Sequence, residues 1–161
     1  MAELELQPMT EAEFAVFRAG LITSYAADKA AAGEWPPAEA EQRAALETDG
    51  LLPGGLATPG MLLLTARTPG GEPVGSVWVA LRLGQPAGGA WIYDIVVAPE
   101  HRGQGYGRAL LAGAEREAAR RGATTIGLNV FGSNTVARTL YESAGYEVTA
   151  LQLRKPLPAG G

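Results

Sequence analysis

The residues best suited to chemistry form a glycine-rich turn in the second half of the chain, Arg102-Gly103-Gln104-Gly105-Tyr106-Gly107-Arg108. Alternate glycines let main-chain N–H groups turn inward without obstruction by a Cβ atom. A helix that begins behind them adds unpaired N–H donors and the positive end of its dipole. Arg102 and Arg108 can add charge-assisted contacts. The turn therefore predicts a diphosphate site, and a tight strand-to-helix connection without a ligand is the alternative that these residues leave open.

Two other phosphate-binding loops disagree with this segment. A P-loop requires a Gly-Lys-Ser/Thr run, and residues 102–108 contain no lysine. A dinucleotide-binding turn requires a third glycine where Arg108 stands, and an acidic residue at the end of the next strand, where Asn129 and Val130 stand. The pattern therefore disfavours an NTPase and a dinucleotide oxidoreductase.

The surrounding sequence predicts the elements that position the turn between a buried strand and a helix. Strand-like runs lie at 4–7, 61–66, 74–83, 90–98, 124–131 and 146–155, and helical runs lie at 10–33, 38–48, 105–121 and 134–143. Thr10, with Glu13 three residues later, has the spacing of a capping box that opens the first helix. Short Gly/Pro connections between the second, third and fourth strands imply an antiparallel meander. The strand, helix, strand order that follows implies a parallel pair. The prediction is an α/β protein (α+β mixed sheet) in the order β-α-α-β-β-β-α-β-α-β, in a single domain over residues 1–161.

Composition limits the class of protein. The 161 residues contain no cysteine, which excludes disulfides, thiolate metal sites and a cysteine nucleophile. The only histidine, His101, has no plausible metal partners, so we expect no metal. No apolar run approaches ~20 residues and the start lacks a basic leader, so we expect a cytoplasmic protein without a membrane partner. The arginines lack interleaved aromatic residues, so we expect no nucleic-acid partner.

The charges are distributed unevenly along the chain. Residues 1–80 contain 4 Lys+Arg and 11 Asp+Glu, net −7, whereas residues 81–161 contain 9 and 6, net +3. An acidic half suits a cationic acceptor, and a basic half suits a phosphorylated donor. Ordinary solvated surface is the alternative, and charge alone favours it.

Two segments resemble a known family. Residues 94–111, which read Asp94-Ile95-Val96-Val97-Ala98-Pro99-Glu100 before the turn and Ala109-Leu110-Leu111 after it, are similar to the acetyl-CoA binding motif of the GNAT superfamily of N-acetyltransferases. Residues 128–146, with Asn134 and Leu140-Tyr141-Glu142, resemble the strand and helix that follow in that family. The resemblance covers about residues 61–155, and the first sixty residues agree only in layout. It implies a GNAT-like acyl-CoA N-acyltransferase fold, with a splayed central sheet flanked by four helices.

The resemblance also implies an activity. It predicts an acetyl-CoA dependent N-acetyltransferase that acetylates a primary amine, on a small molecule or a peptide, by direct attack. Ile95, Val96 and Val97 would offer main-chain groups to the pantetheine arm, and residues 103–108 would bind the pyrophosphate. Asn134 would contact the pantetheine or the acetyl end, and Tyr141 would protonate the departing thiolate. The alternative is a non-catalytic acyl-CoA binding module in which Tyr141 is a core aromatic residue.

The general base, the acceptor and the oligomeric state stay open at this point. Many relatives carry glutamate where Asn129 stands, and an amide cannot accept a proton near neutral pH. Asp94 is the one charge in the apolar run Ile92–Val97 and is our candidate base, with a structural carboxylate bonded to the N-terminal helices as an equal alternative. Only one closing strand, 146–155, stands where relatives have a hairpin, so either this run bends midway into two short strands or a partner subunit completes the edge in a homodimer.

Overall fold

The computed structural model describes residues 2–82, 84 and 88–160. Its strands are β1 (Glu5–Pro8), β2 (Met61–Arg67), β3 (Pro73–Leu81), β4 (Ala90–Val97) and β5 (Ile126–Leu128). Its helices are α1 (Glu11–Ala31), α2 (Pro37–Leu51), α3 (Tyr106–Arg120) and α4 (Thr135–Ser143), with 3-10 turns at Gly55–Ala57 and Pro99–His101. These elements confirm the predicted mixed α/β class.

The start of α1 is fixed by a capping box that the sequence predicted. The Glu13 N–H donates to Thr10 Oγ1 at 3.2 Å, and the Thr10 N–H donates to Glu13 Oε2 at 2.9 Å. The Glu13 carboxylate also accepts hydrogen bonds from Thr65 and Arg67 of β2. The main-chain bond from Thr10, with these two contacts, holds the pKa of Glu13 below its usual value because all three favour the charged form. One carboxylate therefore caps α1 and ties it to the sheet.

The five strands form one sheet in the order β1-β2-β3-β4-β5. The first four pair antiparallel, and β4 pairs with β5 in parallel. This arrangement confirms both the predicted meander and the predicted parallel pair. The helix α3 makes the crossover between β4 and β5, as a parallel pair requires. As a result β4 is a central strand, with β3 on one side and β5 on the other.

The two faces of the sheet bury different apolar side chains. On one face, Trp78 of β3 and Leu63 of β2 pack with α1 through Phe14, Phe17 and Leu21. The opposite face is covered by α3. The largest fully buried side chains there come from β3 and from α3: Val77, Val79, Leu110 and Leu111. The alternation of side chains along β3 produces this division, because successive residues point to opposite faces.

The chain after α4 differs from the prediction. Residues 146–155 were expected to form a closing strand, but no strand is present in residues 146–160. The side chains of Val148, Leu151 and Leu153 are 62, 75 and 92 % exposed. An apolar run shows only that a segment suits an extended conformation, whereas a strand also needs hydrogen bonds from a neighbouring strand. The prediction of a closing strand is therefore wrong, and β5 is also shorter than the predicted 124–131.

The described chain falls into two compact units, one through Asn129 and one from Val130. The first contains the sheet with α1, α2 and α3, and the second contains α4. The single domain over residues 1–161 stays a prediction. The predicted strand end at Leu83 lies outside the described residues, and β3 ends at Leu81.

Candidate active site

The strand β4 contains one extra residue opposite β3. Trp78 pairs with Asp94, whereas the next residue of β3, Val79, pairs with Ile92. Tyr93 is therefore the additional residue of a β-bulge. Its ring stacks on that of Trp78, with centroids 4.6 Å apart. The bulge thus turns two consecutive side chains, Tyr93 and Asp94, towards the face that α1 covers.

The sheet opens just beyond this bulge. The parallel pairing joins Ala90–Ile92 to Ile126–Leu128 and ends there. β4 continues to Val97 with β3 on one side and, within the described part of the chain, no strand on the other. We call the space beside this unpaired stretch of β4 the strand gap. Asp94 and Asn129 lie at its start, immediately beyond the last paired residues.

Main-chain groups along this part of β4 alternate between β3 and the strand gap. The Ala98 N–H donates to a carbonyl of the β3 segment at 2.9 Å. Because successive residues of a strand direct their main-chain groups to opposite sides, Val96 faces β3, whereas Ile95 and Val97 face the gap. The Val97 carbonyl accepts a hydrogen bond from Arg102 Nε at 3.1 Å. The gap therefore presents two N–H donors and the Ile95 carbonyl.

The glycine turn follows at the end of this strand. Gly103 and Gly105 have φ angles of +74° and +83°, in the left-handed region that favours glycine. A Cβ atom at either position would meet no atom within 4 Å, so the space in front of both is open. Gly105 is the N-cap of α3, and no side chain caps this helix. The first-turn N–H groups of α3 are thus available to an anion.

The other predicted residues of the turn surround this helix start: Arg102, Gln104, Tyr106, Gly107 and Arg108. The rings of Tyr106 and His101 meet edge to face, with centroids 6.1 Å apart. Gln104 Nε2 donates to the Glu100 carbonyl at 3.4 Å. The two arginines and Gln104 are exposed, whereas Tyr106 is half-buried. The structure therefore brings residues 102–108 together at one helix end, next to the end of β4.

Asp94 lies in an environment that disfavours its charged form. It is half-buried, and its carboxylate has no hydrogen-bond or ion-pair partner among residues 2–82, 84 and 88–160. Burial removes water from the carboxylate and raises the pKa of Asp94 from 3.8 to about 6. A carboxylate with this pKa is ionised at neutral pH and suits a general base. The alternative of a structural carboxylate bonded to α1 or α2 lacks such a bond.

The second unit contains the other two predicted residues. Asn134 is the N-cap of α4, and its side-chain oxygen accepts a hydrogen bond from the Ala137 N–H at 3.1 Å. This bond leaves the side-chain amide hydrogens of Asn134 for another acceptor. Tyr141 lies two helical turns further along, and its ring centroid is 5.8 Å from that of Tyr146. The predicted helix is confirmed, and the roles of both residues stay predictions.

Three side chains that contact one another were not identified from the sequence: Arg82, Trp91 and Tyr93. The Trp91 ring covers Gly127 of β5, where a Cβ atom would lie 3.0 Å from the ring. The Arg82 guanidinium lies 5.3 Å from the Trp91 ring centroid and 6.0 Å from that of Tyr93. The available signal was the pair Tyr93-Asp94, which interrupts an apolar strand with two polar groups in succession. Such a pair does not by itself distinguish a bulge from regular alternation.

Two further features concern metal ions and membranes. Within the described ranges, no group of three or more His, Cys, Asp or Glu side chains could hold a metal ion. His101 Nε2 lies 3.7 Å from a Glu72 carboxylate oxygen, without a third such group. The helices described here are all too short or too polar to cross a bilayer.

An open strand edge that leads into a glycine turn at a helix N-terminus suits an extended ligand with a phosphate group. Comparison with known proteins identifies the family. Residues 24–146 match the model of the Acetyltransferase (GNAT) family, and the chain belongs to this family. It is an N-acetyltransferase, so the predicted family and enzyme class are confirmed.

Its relatives include proteins similar over nearly the whole chain. The chain is 33 % identical over 152 residues to the uncharacterized N-acetyltransferase YycN of Bacillus subtilis, covering 94 % of this chain and 97 % of that one. The crystal structure of YycN has a TM-score of 0.90 at 32 % identity, covering 96 % and 99 %. The aminoglycoside N-acetyltransferase AAC(6')-Iy, solved with the bisubstrate analog CoA-S-monomethyl-acetylneamine, has a TM-score of 0.62 at 17 % identity, covering 98 % and 100 %. This last similarity shows a shared fold.

The buried charge of Asp94 predicts a stabilising substitution. We expect Asp94→Asn to raise the free energy of unfolding at pH 7.5 by about 1–2 kcal/mol, because the amide removes a desolvated charge. The pKa of Asp94 in the folded protein, about 6, lies above the unfolded value of 3.8. The free-energy cost of the buried charge therefore appears as the pH rises between these two values. The gain should therefore disappear near pH 3.8. Urea unfolding at both pH values measures it.

Asp49→Asn is the matched control. Asp49 accepts hydrogen bonds from Arg18 Nε and Nη2 at 2.8 and 2.7 Å, which lower the pKa of its carboxyl. This substitution should therefore destabilise the protein at pH 7.5, the opposite sign to Asp94→Asn. An Asp94→Asn variant that is less stable than the parent at pH 7.5 would contradict the account of Asp94.

Proposed function

We propose that the protein transfers the acetyl group of acetyl-CoA to a primary amine, on a small molecule or a peptide, by direct attack of the amine. The observation that carries this proposal is the strand gap, which leads along β4 into the open glycine turn. These two features match the two parts of the donor, an extended pantetheine arm and a pyrophosphate. Beyond the class of N-acetyltransferase, we thus propose the donor, the acceptor and the residues that act on them.

The described residues fit both parts of the donor. The N–H groups of Ile95 and Val97 and the Ile95 carbonyl can pair with the amides of the pantetheine arm, as an added strand would. Val96, which the resemblance also suggested, directs its main-chain groups to β3, so they would not pair with the arm. The N–H groups of residues 103–108 would bind the pyrophosphate, with charge-assisted contacts from Arg102 and Arg108. Asn134 would donate its side-chain amide hydrogens to the arm.

Direct transfer needs one polarised carbonyl, the loss of two protons from the ammonium nitrogen and the gain of one proton by the thiolate. Acetyl-CoA supplies a thioester, so that a bond forms between the amine nitrogen and the acetyl carbon while the carbon–sulfur bond breaks. The Ile95 N–H, as the first donor in the strand gap beyond the bulge, would donate to the acetyl oxygen as charge develops on it. Holding the amine beside this carbon supplies much of the remaining acceleration.

Asp94 and Tyr141 would take part in these proton movements. A primary ammonium has a pKa of about 10 and must lose a proton before it attacks. Asp94, whose pKa is raised to about 6, would accept this proton directly or through water. Tyr141 would donate its phenolic proton to the thiolate, a role assigned from the resemblance of α4 to the family's helix. A second proton leaves nitrogen as the amide forms and would restore the Tyr141 phenol through water, while Asp94 passes the first proton to solvent; two protons thus leave nitrogen, one reaches sulfur and one is released, so the transfer is balanced.

The setting of the reaction follows from its donor. We place the reaction in the cytoplasm, because acetyl-CoA is an intracellular metabolite. The steps proposed here require no metal and no nucleic acid. A homodimer stays a prediction, and the proposed chemistry does not depend on it.

A backbone substitution tests the donor site. We expect Gly105→Ala to raise the Kd for CoA at least tenfold, because alanine disfavours a φ of +83° and would rotate the N–H groups that follow. Gly122→Ala is the control, since Gly122 has a φ of +91° at the other end of α3 and equally open space. Both variants should lose similar stability. Calorimetry with CoA that gives the two variants equal Kd values would contradict the proposed donor site.

A single-atom substitution tests the acid. We expect Tyr141→Phe to lower kcat at least tenfold while the Kd for CoA stays within twofold, because only the phenolic proton is lost. Tyr146→Phe, in the same unit, should leave kcat within twofold. Release of free CoA with a panel of amines measures the rates. An unchanged kcat for Tyr141→Phe would remove this residue from the mechanism.

A further inference from the structure

The arginine that follows β3 lacks, among the residues that the structure describes, the carboxylate partner that the chain's other early cations have. The four cations of residues 2–80 each form an ion pair with an acidic side chain: Arg18, Lys29, Arg43 and Arg67. Arg82 is the next cation in the sequence, and it forms no ion pair with any residue that the structure describes. The Arg82 guanidinium is therefore available to bind the carboxylate of a ligand, although the chain as a whole is acidic.

Aromatic contacts hold this arginine in place. Its main-chain N–H donates to the Gly89 carbonyl at 2.8 Å, which fixes the backbone just beyond β3. Its guanidinium lies over the Trp91 and Tyr93 rings, and Arg82 Nη2 donates to the Tyr93 hydroxyl at 3.3 Å. The residue is nevertheless exposed. Cation–π contacts and one hydrogen bond therefore orient the guanidinium while leaving donors for a ligand.

Arg82 and Asp94 lie on opposite sides of one tyrosine. Tyr93 and Asp94 are consecutive and face the same way because of the bulge. Asp94 pairs with Trp78, four residues before Arg82, so the two backbones are about 13 Å apart at ~3.3 Å per residue. The Arg82 side chain reaches back to Tyr93 and shortens this span. The Asp94 carboxylate, at the start of the strand gap, and the Arg82 guanidinium thus lie along one strip of the α1 face.

We propose that Arg82 binds a carboxylate of the acceptor, so that the acceptor class is amino acids and short peptides. This inference rests on the proposed function, in which the acceptor amine lies beside Asp94. The guanidinium would form a two-pronged, charge-assisted contact with the carboxylate, a geometry that arginine provides and lysine does not. A span below about 13 Å corresponds to an acceptor of one to three residues, at ~3.4 Å per extended residue.

The net negative charge of the first half of the chain increases the importance of a cation that binds the acceptor's carboxylate. Residues 1–80 carry a net charge of −7, so an acceptor with a carboxylate is repelled unless a cation receives that group. Arg82 is oriented before binding, which limits the entropy lost when it binds. The alternative role of Arg82 is to cover the Trp91 and Tyr93 rings without contact to the acceptor. The two roles differ in whether the acceptor's carboxylate affects the rate.

The test compares acceptors that differ in that one group. Glycine, diglycine and triglycine are assayed as free acids and as C-terminal amides at saturating acetyl-CoA, because glycine isolates length and charge from side-chain packing. We expect the parent enzyme to prefer the acid at one length by at least tenfold in kcat/KM. Arg82→Gln should abolish this preference and leave kcat/KM for the amide within twofold, and Arg82→Lys should retain part of it. Arg116→Gln, an exposed arginine on α3, controls for the loss of one charge.

Each outcome decides between the two roles. Equal kcat/KM for acids and amides in the parent, or a preference that survives Arg82→Gln, overturns the inference while the proposed function stands. Absence of CoA release with every amine, including simple alkylamines, overturns the proposed function. In that case an NMR titration still tests carboxylate binding. It follows the resonance of the Arg82 Nε–H, which is assigned by its absence in Arg82→Lys. A saturable shift with diglycine and none with its amide supports carboxylate binding, and no shift with either overturns it.

Discussion

The site depends on one extra residue in a central strand. Without the bulge at Tyr93, side chains would alternate strictly along β4, and Tyr93 and Asp94 would point to opposite faces of the sheet. With it, both face α1, and the parallel pairing with β5 ends at Ile92. A bulge also increases local twist and bends the strand that contains it, which suits a strand that must part from its neighbour. The side-chain groups and the open strand edge thus occur together at one irregularity of the backbone.

The site concentrates groups that the folded chain alone does not satisfy. Among the described residues, Asp94 is partly desolvated without a partner, Ile95 and Val97 direct main-chain groups into the strand gap, and α3 begins without a side-chain cap. Two glycines at positive φ precede that helix. Each feature costs some stability, and the well-packed contacts between β3 and α3 offset it. Such features are expected where a ligand supplies the missing contacts.

The sequence predicted those parts of the molecule that depend on local residue types. The capping box at Thr10 and the glycine turn at 102–108 are short patterns with a direct conformational meaning, and both were found. The bulge was not predicted, because it depends on the register between β3 and β4. The position of Arg82 was missed for a similar reason, since its contacts come from two other strand residues. The closing strand at 146–155 was predicted from an apolar run that does not specify a pairing partner.

Amide hydrogen exchange on addition of CoA tests the central claim most directly. The N–H groups of Ile95 and Val97 face the strand gap, whereas those of Val96 and Ala98 face β3, so neighbouring residues provide their own control. The account predicts that saturating CoA slows exchange at Ile95 and Val97 at least tenfold and changes Val96 and Ala98 little. Equal slowing at all four amides, or no slowing at Ile95 and Val97, would contradict it.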